Sequence, residues 1–243
     1  MNNYKLEIQY DGTNYAGWQI QKNAVSIQQK ITDAVSLILK EKINLIGSGR
    51  TDAGVHALGQ VANFRTEKVI DIFSFKHSLN GILPVDISIT KMESVNENFH
   101  SRFDANRRIY FYLISKIKSP FMLKYSYYLH QPIDLSSLNL LSTALIGTHD
   151  FTGLSRKNPS LENKTCTLYS AHWKEIKSMI VFRIEADRFL HGMVRIIVAT
   201  LLNAQKQNLD KECIIKILQG KGNLLGSGAA PAKGLFLYKV LYD

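Results

Sequence analysis

Gly47-Ser48-Gly49-Arg50-Thr51-Asp52-Ala53-Gly54-Val55-His56-Ala57-Leu58-Gly59-Gln60 is the most informative stretch of this chain. Four glycines in so short a span permit tight turns and let a ligand approach the backbone closely. A single acid, Asp52, stands among Arg50, Thr51 and His56 with no second carboxylate beside it. The residues alone leave two readings open: a structural turn in which Asp52 caps a backbone donor, or a lone catalytic carboxylate. The stretch is not a Walker phosphate loop, which needs Lys followed by Ser or Thr after its last glycine. It does not suit a paired-carboxylate glycosidase either, because that chemistry needs two acids and the segment supplies one.

Outward from the loop, Tyr4, Leu6, Ile8 and Tyr10 alternate with Lys5, Glu7 and Gln9, predicting a half-buried strand that ends at the Asp11-Gly12 turn. Ser26 and Gln29 resemble a capping box, and Ile27, Ile31, Ala34, Val35, Ile38 and Leu39 follow at helical spacing. Further strands are expected at 43–46, 60–64, 87–95, 108–115, 165–173, 178–186 and 235–241. Further helices are expected at 71–80, 135–146, 190–202 and 211–218. Strands in adjacent pairs between helices, without strict βαβ alternation, predict an α+β fold with a mainly antiparallel sheet. A division near residue 104 is expected, giving lobes 1–104 and 105–243, with the aspartate loop in the first.

The formal net charge of the 243 residues is +10, and the pI is near 9.5. Such an excess favours a polyanionic partner, because neutralised phosphates release condensed counterions. The two cysteines, Cys166 and Cys213, lie far apart without a CxxC partner, which suits a reducing cytosol and suggests neither a disulfide framework nor a zinc site. The N-terminus carries charges where a signal peptide needs an apolar core, and no apolar run reaches membrane-spanning length. The expected location is the cytoplasm.

Arg50-Thr51-Asp52-Ala53-Gly54-Val55-His56, followed by Gly59-Gln60-Val61, resembles the signature of the tRNA pseudouridine synthase A family. Four more blocks resemble it in order: Tyr10-Asp11-Gly12-Thr13-Asn14-Tyr15-Ala16-Gly17-Trp18-Gln19, Phe99-His100-Ser101-Arg102-Phe103-Asp104-Ala105, Phe189-Leu190-His191-Gly192-Met193-Val194-Arg195, and Ala230-Pro231-Ala232-Lys233-Gly234-Leu235. The resemblance therefore spans essentially the whole chain. Two positions after the arginine depart from the common pattern, with Ile196 in place of Asn and Ala199 in place of Gly.

The resemblance implies two similar lobes sharing a central, mainly antiparallel sheet with flanking helices, the pseudouridine synthase fold, with a basic cleft between them. It implies isomerisation of uridine to pseudouridine in the tRNA anticodon stem-loop, at tRNA positions 38 to 40, by base flipping and without cofactor or metal. It also implies a homodimer whose tRNA touches both subunits. Asp52 is implied as the catalytic aspartate, Arg195 as its partner, and Tyr110 as the aromatic wall against the target base. An ionised carboxylate serves covalent or proton-transfer steps, and a neighbouring guanidinium keeps it ionised and oriented. A flipped uracil needs an aromatic or apolar wall. Arg50, Arg102, Arg108, His56 and Leu235 complete the expected substrate-facing set, His56 being open to a supporting role as well. Trp18 is expected to pack beneath the site.

Two other classes remain open on residues alone. An RNA-binding scaffold would use the positive charge but has no need of a carboxylate facing phosphates. A glycoside or nucleoside hydrolase would use Asp52 but lacks a second acid.

Overall fold

The computed structural model describes residues 1–157, 161–222 and 228–242. Its secondary structure runs β1 (Asn2–Tyr10), α1 (Ile27–Leu39), β2 (Ile46–Gly47), β3 (His56–Thr66), α2 (Ile72–Ile82), β4 (Ile87–Val95), β5 (Arg107–Ser115), β6 (Tyr127–Tyr128), α3 (Leu135–Ser142), β7 (Gly147–Asp150), β8 (Thr165–Ile176), β9 (Met179–Ala186), α4 (Met193–Lys206), α5 (Lys211–Leu218) and β10 (Leu235–Leu241). The class is α+β with mostly antiparallel pairing, as expected. The chain forms two compact units: Met1–Asn106 with Phe236–Asp243, and Arg107–Leu235.

In the first unit β1 pairs antiparallel with β3 on one side and β4 on the other, and β10 adds parallel to β3 through Phe236↔His56 and Leu237↔Ala57. The alternation of β1 buries Leu6 and Ile8 completely, together with Ile27, Ile31 and Val35 of α1, Phe64 of β3 and Leu79 of α2. Ser26 caps α1 by accepting from the Gln29 amide at 3.3 Å, and Asp71 caps α2 through the Ser74 amide at 2.8 Å. Each cap satisfies an amide that the helix leaves without an internal partner.

Two expectations in this unit shift. The strand expected at 43–46 shrinks to Ile46–Gly47, although Ile43 and Leu45 are buried. Helix α1 takes the backbone groups that a ladder would use. The Ile43 amide donates to Ser36 Oγ at 3.3 Å, and the Leu45 carbonyl accepts from Gln28 Nε2 at 2.8 Å. Strand β3 begins at His56, four residues before the expected start, because Ala57 pairs with Tyr10 and His56 with Phe236 from the other end of the chain.

In the second unit β9 lies between β5 and β8, β7 adds to β8, all antiparallel, and β6 runs parallel to β5. Tyr112, Phe182, Ile184 and Trp173 line one face of this sheet and are fully buried, with Trp173 and Phe182 stacked at 4.4 Å between ring centres. The Trp173 indole donates to Ser142 Oγ at 3.0 Å and Asn139 bonds both backbone groups of Trp173, tying α3 to that face. Helix α3 stops at Ser142 and tightens into a 3-10 turn over Thr143–Leu145. The Ser142 and Thr143 hydroxyls donate to the Leu138 and Leu140 carbonyls, a competition with the helix ladder that favours termination. Helix α4 begins at Met193 and not at Leu190, because Gly192 sits at φ 70°, in the left-handed region.

Candidate active site

The aspartate loop is held from below by the first sequence block. The Tyr10 hydroxyl and Thr51 Oγ1 are 2.8 Å apart, with both residues buried. The Trp18 amide donates to the Thr51 carbonyl at 3.1 Å, and the Gly54 amide to the Tyr15 carbonyl at 3.4 Å. The loop closes on itself through the Val55 amide and the Asp52 carbonyl at 3.2 Å, with Gly54 at φ 76°. In this turn the Asp52 backbone carbonyl accepts the closing bond, and Asp52 itself is partly exposed.

Two glycines of the first block permit that contact. A Cβ on Gly12 would stand 2.0 Å from the Val55 carbonyl oxygen. One on Gly17, which has φ 95°, would stand 2.4 Å from the Thr51 oxygen. The entrance to the loop is fixed by Gln60, whose Oε1 accepts from Ser48 Oγ at 2.7 Å and whose Nε2 donates to the Gly49 carbonyl at 3.1 Å. Trp18 is buried beneath the site, as expected, and lies against Gly47 so closely that a Cβ there would be 2.5 Å from its Nε1.

His56 is 1% exposed. Its Nδ1 accepts from the Gly12 amide at 3.1 Å and lies 3.1 Å from Asp11 Oδ1, and its ring stacks on Phe236 at 4.7 Å. Arg50 and Arg102 are exposed. Arg102 sits 5.6 Å from the centre of the Phe103 ring, in a turn where His100 Nδ1 accepts from the Arg102 and Phe103 amides. The turn is anchored by Ser101, which donates from Oγ to the Ile46 carbonyl at 2.6 Å and from its amide to Asn63 Oδ1 at 3.0 Å.

The second unit carries Tyr110, Arg108, Arg195 and Leu235. Tyr110 is mostly buried on β5 and meets Phe189 edge-on at 5.1 Å. Arg108, on the same face of that strand, donates to the Asp187 carbonyl at 2.6 Å. Arg195 lies in the first turns of α4. Its Nε donates to the Ala230 carbonyl at 2.7 Å, while the Ala230 amide donates back to the Arg195 carbonyl at 3.0 Å. The adjoining Pro231 carbonyl accepts from the Tyr112 hydroxyl at 2.9 Å. Burial pushes that hydroxyl far above the usual phenol range, against the opposing influence of the nearby Arg195 charge. Leu235 follows at the start of β10 and is 6% exposed.

Two clamps were missed from sequence. Tyr10 stands in a block that resembles the family, but nothing local says that its hydroxyl meets Thr51. Tyr112 reads as a core aromatic, and only the fold brings its hydroxyl to Pro231. Among the described residues no group of three His, Cys, Asp or Glu side chains is placed to hold a metal ion, and no helix is long and apolar enough to cross a membrane.

A family model described as tRNA pseudouridine synthase matches residues 7–104 and 141–243. Tyr110 and Arg108 fall between the two matched stretches, which full-length relatives span. The chain is 44% identical over 249 residues to tRNA pseudouridine synthase A 1 of Protochlamydia amoebophila, covering 100% of this chain and 97% of that one. It is 42% identical over 243 residues to tRNA pseudouridine synthase A of Chlorobium phaeovibrioides, covering 100% of both.

Proposed function

Because the chain belongs to the tRNA pseudouridine synthase family, we propose that Asp52 is the catalytic group with which it isomerises uridine to pseudouridine in the tRNA anticodon stem-loop. The observation that carries this reading is the construction around Asp52: a partly exposed aspartate on a turn bonded to the Tyr10–Trp18 block through the Thr51 hydroxyl, the Thr51 carbonyl and the Gly54 amide. A rigid support is what a reacting group needs to stay in productive geometry.

The reaction breaks the bond from N1 of uracil to C1′, turns the base, and rejoins it through C5 to the same sugar. No electrons leave or enter, so a carboxylate suffices for the nucleophilic or proton-transfer role. Arg195, with its backbone and Nε engaged by Ala230, is the cation assigned to keep Asp52 ionised. Tyr110 supplies the wall for the extruded base. Arg50, Arg102 and Arg108 bind phosphates of the RNA, and Leu235 gives an apolar contact. His56, buried on Phe236 and bonded to Gly12, supports the loop. The enzyme works as a cytoplasmic homodimer without a cofactor.

The test is tritium release from tRNA labelled at C5 of uridine, because the new bond to C1′ displaces that hydrogen. The native protein should release tritium and Asp52→Asn should release none while still binding tRNA. Equal release from both proteins would remove Asp52 from the chemistry.

A further inference from the structure

On β5, Arg107, Ile109 and Phe111 point to the face opposite Tyr110, and in register with them stand Glu185 and Arg183 of β9 and Ser170 and His172 of β8. Glu185 is 8% exposed and holds two arginines at once, Oε1 lying 3.0 Å from Arg107 Nη1 and Oε2 2.6 Å from Arg183 Nη2. Arg183 Nη1 also donates to Ser170 Oγ at 2.6 Å. The Arg107 guanidinium lies 4.4 Å above the centre of the Tyr169 ring, which is itself 43% exposed. The two arginine side chains keep 48% and 40% of their surface in solvent, and His172 and Lys174 on the same face of β8 are exposed.

This is more cation than the carboxylate requires. One arginine neutralises Glu185, and the second leaves the cluster with net positive charge beside Lys174. A second, half-exposed ion pair on one carboxylate adds little further stability, so stability does not account for a second guanidinium fixed in place. The arrangement does suit an anion. A guanidinium has five N–H donors. Arg107 spends one of them and Arg183 two, while the carboxylate and the Tyr169 ring hold the planes oriented.

We propose that this face binds the sugar–phosphate backbone of the RNA substrate, with Arg107 and Arg183 as phosphate ligands and Glu185 and Tyr169 as the groups that orient them. The inference rests on tRNA being the substrate and adds a contact surface on the far side of β5 from Tyr110. A second copy of the chain is the poorer occupant, because a two-fold contact would set a cationic face against itself.

The experiment compares native protein with the Arg107→Gln/Arg183→Gln double variant. It measures the Kd for an unmodified tRNA transcript across a potassium chloride series, KM and kcat by tritium release, and mass in solution by sedimentation. The slope of log K against log salt should fall by about 2. Kd and KM should rise by about tenfold for each arginine removed, with kcat at saturating tRNA and the oligomeric state unchanged. An unchanged slope and KM would overturn the proposal. So would a change of oligomeric state at an unaltered salt slope, which would assign the face to contact between copies. A native protein that binds tRNA without releasing tritium would strike the isomerase reading alone, and the slope would still decide this one. Should the double variant not fold, Arg107→Gln alone, at the exposed start of β5, should lower the slope by about 1.

Discussion

Gly17→Ala tests whether the Asp52 turn is placed by the block that precedes it. Gly17 has φ 95°, and a Cβ built on it stands 2.4 Å from the Thr51 oxygen, 3.0 Å from the Asp52 carbonyl carbon and 3.1 Å from the Ala53 nitrogen. Ordinary contact begins at 3.4 Å, so the peptides flanking Asp52 must retreat by about 1 Å. A displacement of that size at a reacting group costs about 100-fold in rate. Placing a β-carbon in the left-handed region adds strain of about 1–2 kcal/mol, which the overall stability should report. Single-turnover tritium release at saturating tRNA should therefore fall about 100-fold, with tRNA Kd close to native, and urea unfolding should show the lost stability. Gly49→Ala in the same loop is the control, because a Cβ there meets nothing within 4 Å and should leave stability near native. A native release rate for Gly17→Ala would refute the claim that this contact positions Asp52.

Tyr112→Phe removes the hydroxyl that donates to the Pro231 carbonyl at 2.9 Å, and unfolding in urea should show a loss of about 1 kcal/mol. If Arg195 depends on that segment for its orientation, kcat should fall while tRNA Kd does not. Stability at low pH should depend on Glu185. Burial works to raise its carboxyl, but Arg183 and Arg107 outweigh burial and hold it below its ordinary value of 4.5. The sign follows from linkage: a depressed carboxyl contributes fully above the unfolded value and its contribution disappears as pH falls through the folded one. Urea unfolding should thus weaken below about pH 4.5 in the native protein, and Glu185→Gln should flatten that acid limb. An identical acid limb in the variant would show that Glu185 has no such share.

How far the chain could be read depended on where each residue finds its partners. Strands β1, β4 and β5 and helices α1, α2 and α5 follow from period and caps, since alternation and i+3 or i+4 spacing are local properties. In the first unit the errors fall where distant residues decide. Ile43 and Leu45 look like strand and are buried like strand, yet Ser36 and Gln28 of α1 take their backbone groups. His56 looks like loop, and becomes strand because Tyr10 and Phe236 arrive on either side of residues 56 and 57.

The site divides the same way. Asp52, Tyr110 and Arg195, the residues proposed for the chemistry, stand out by resemblance. The residues that hold them are prescribed only by the fold. Tyr10 must reach Thr51, Gly17 must lack a side chain, and Tyr112 must end at Pro231. A hydroxyl on a buried aromatic is the one local hint. Burying it without a partner is costly, so each buried tyrosine implies an acceptor somewhere in the fold. Tyr10 and Tyr112 each discharge that requirement on a segment that carries or anchors a site residue. Tyr15 does so on Asp86 at 2.5 Å, the residue immediately before β4. By that argument Tyr15 belongs to the scaffold of the loop as much as Tyr10 does, because its own carbonyl holds the Gly54 amide.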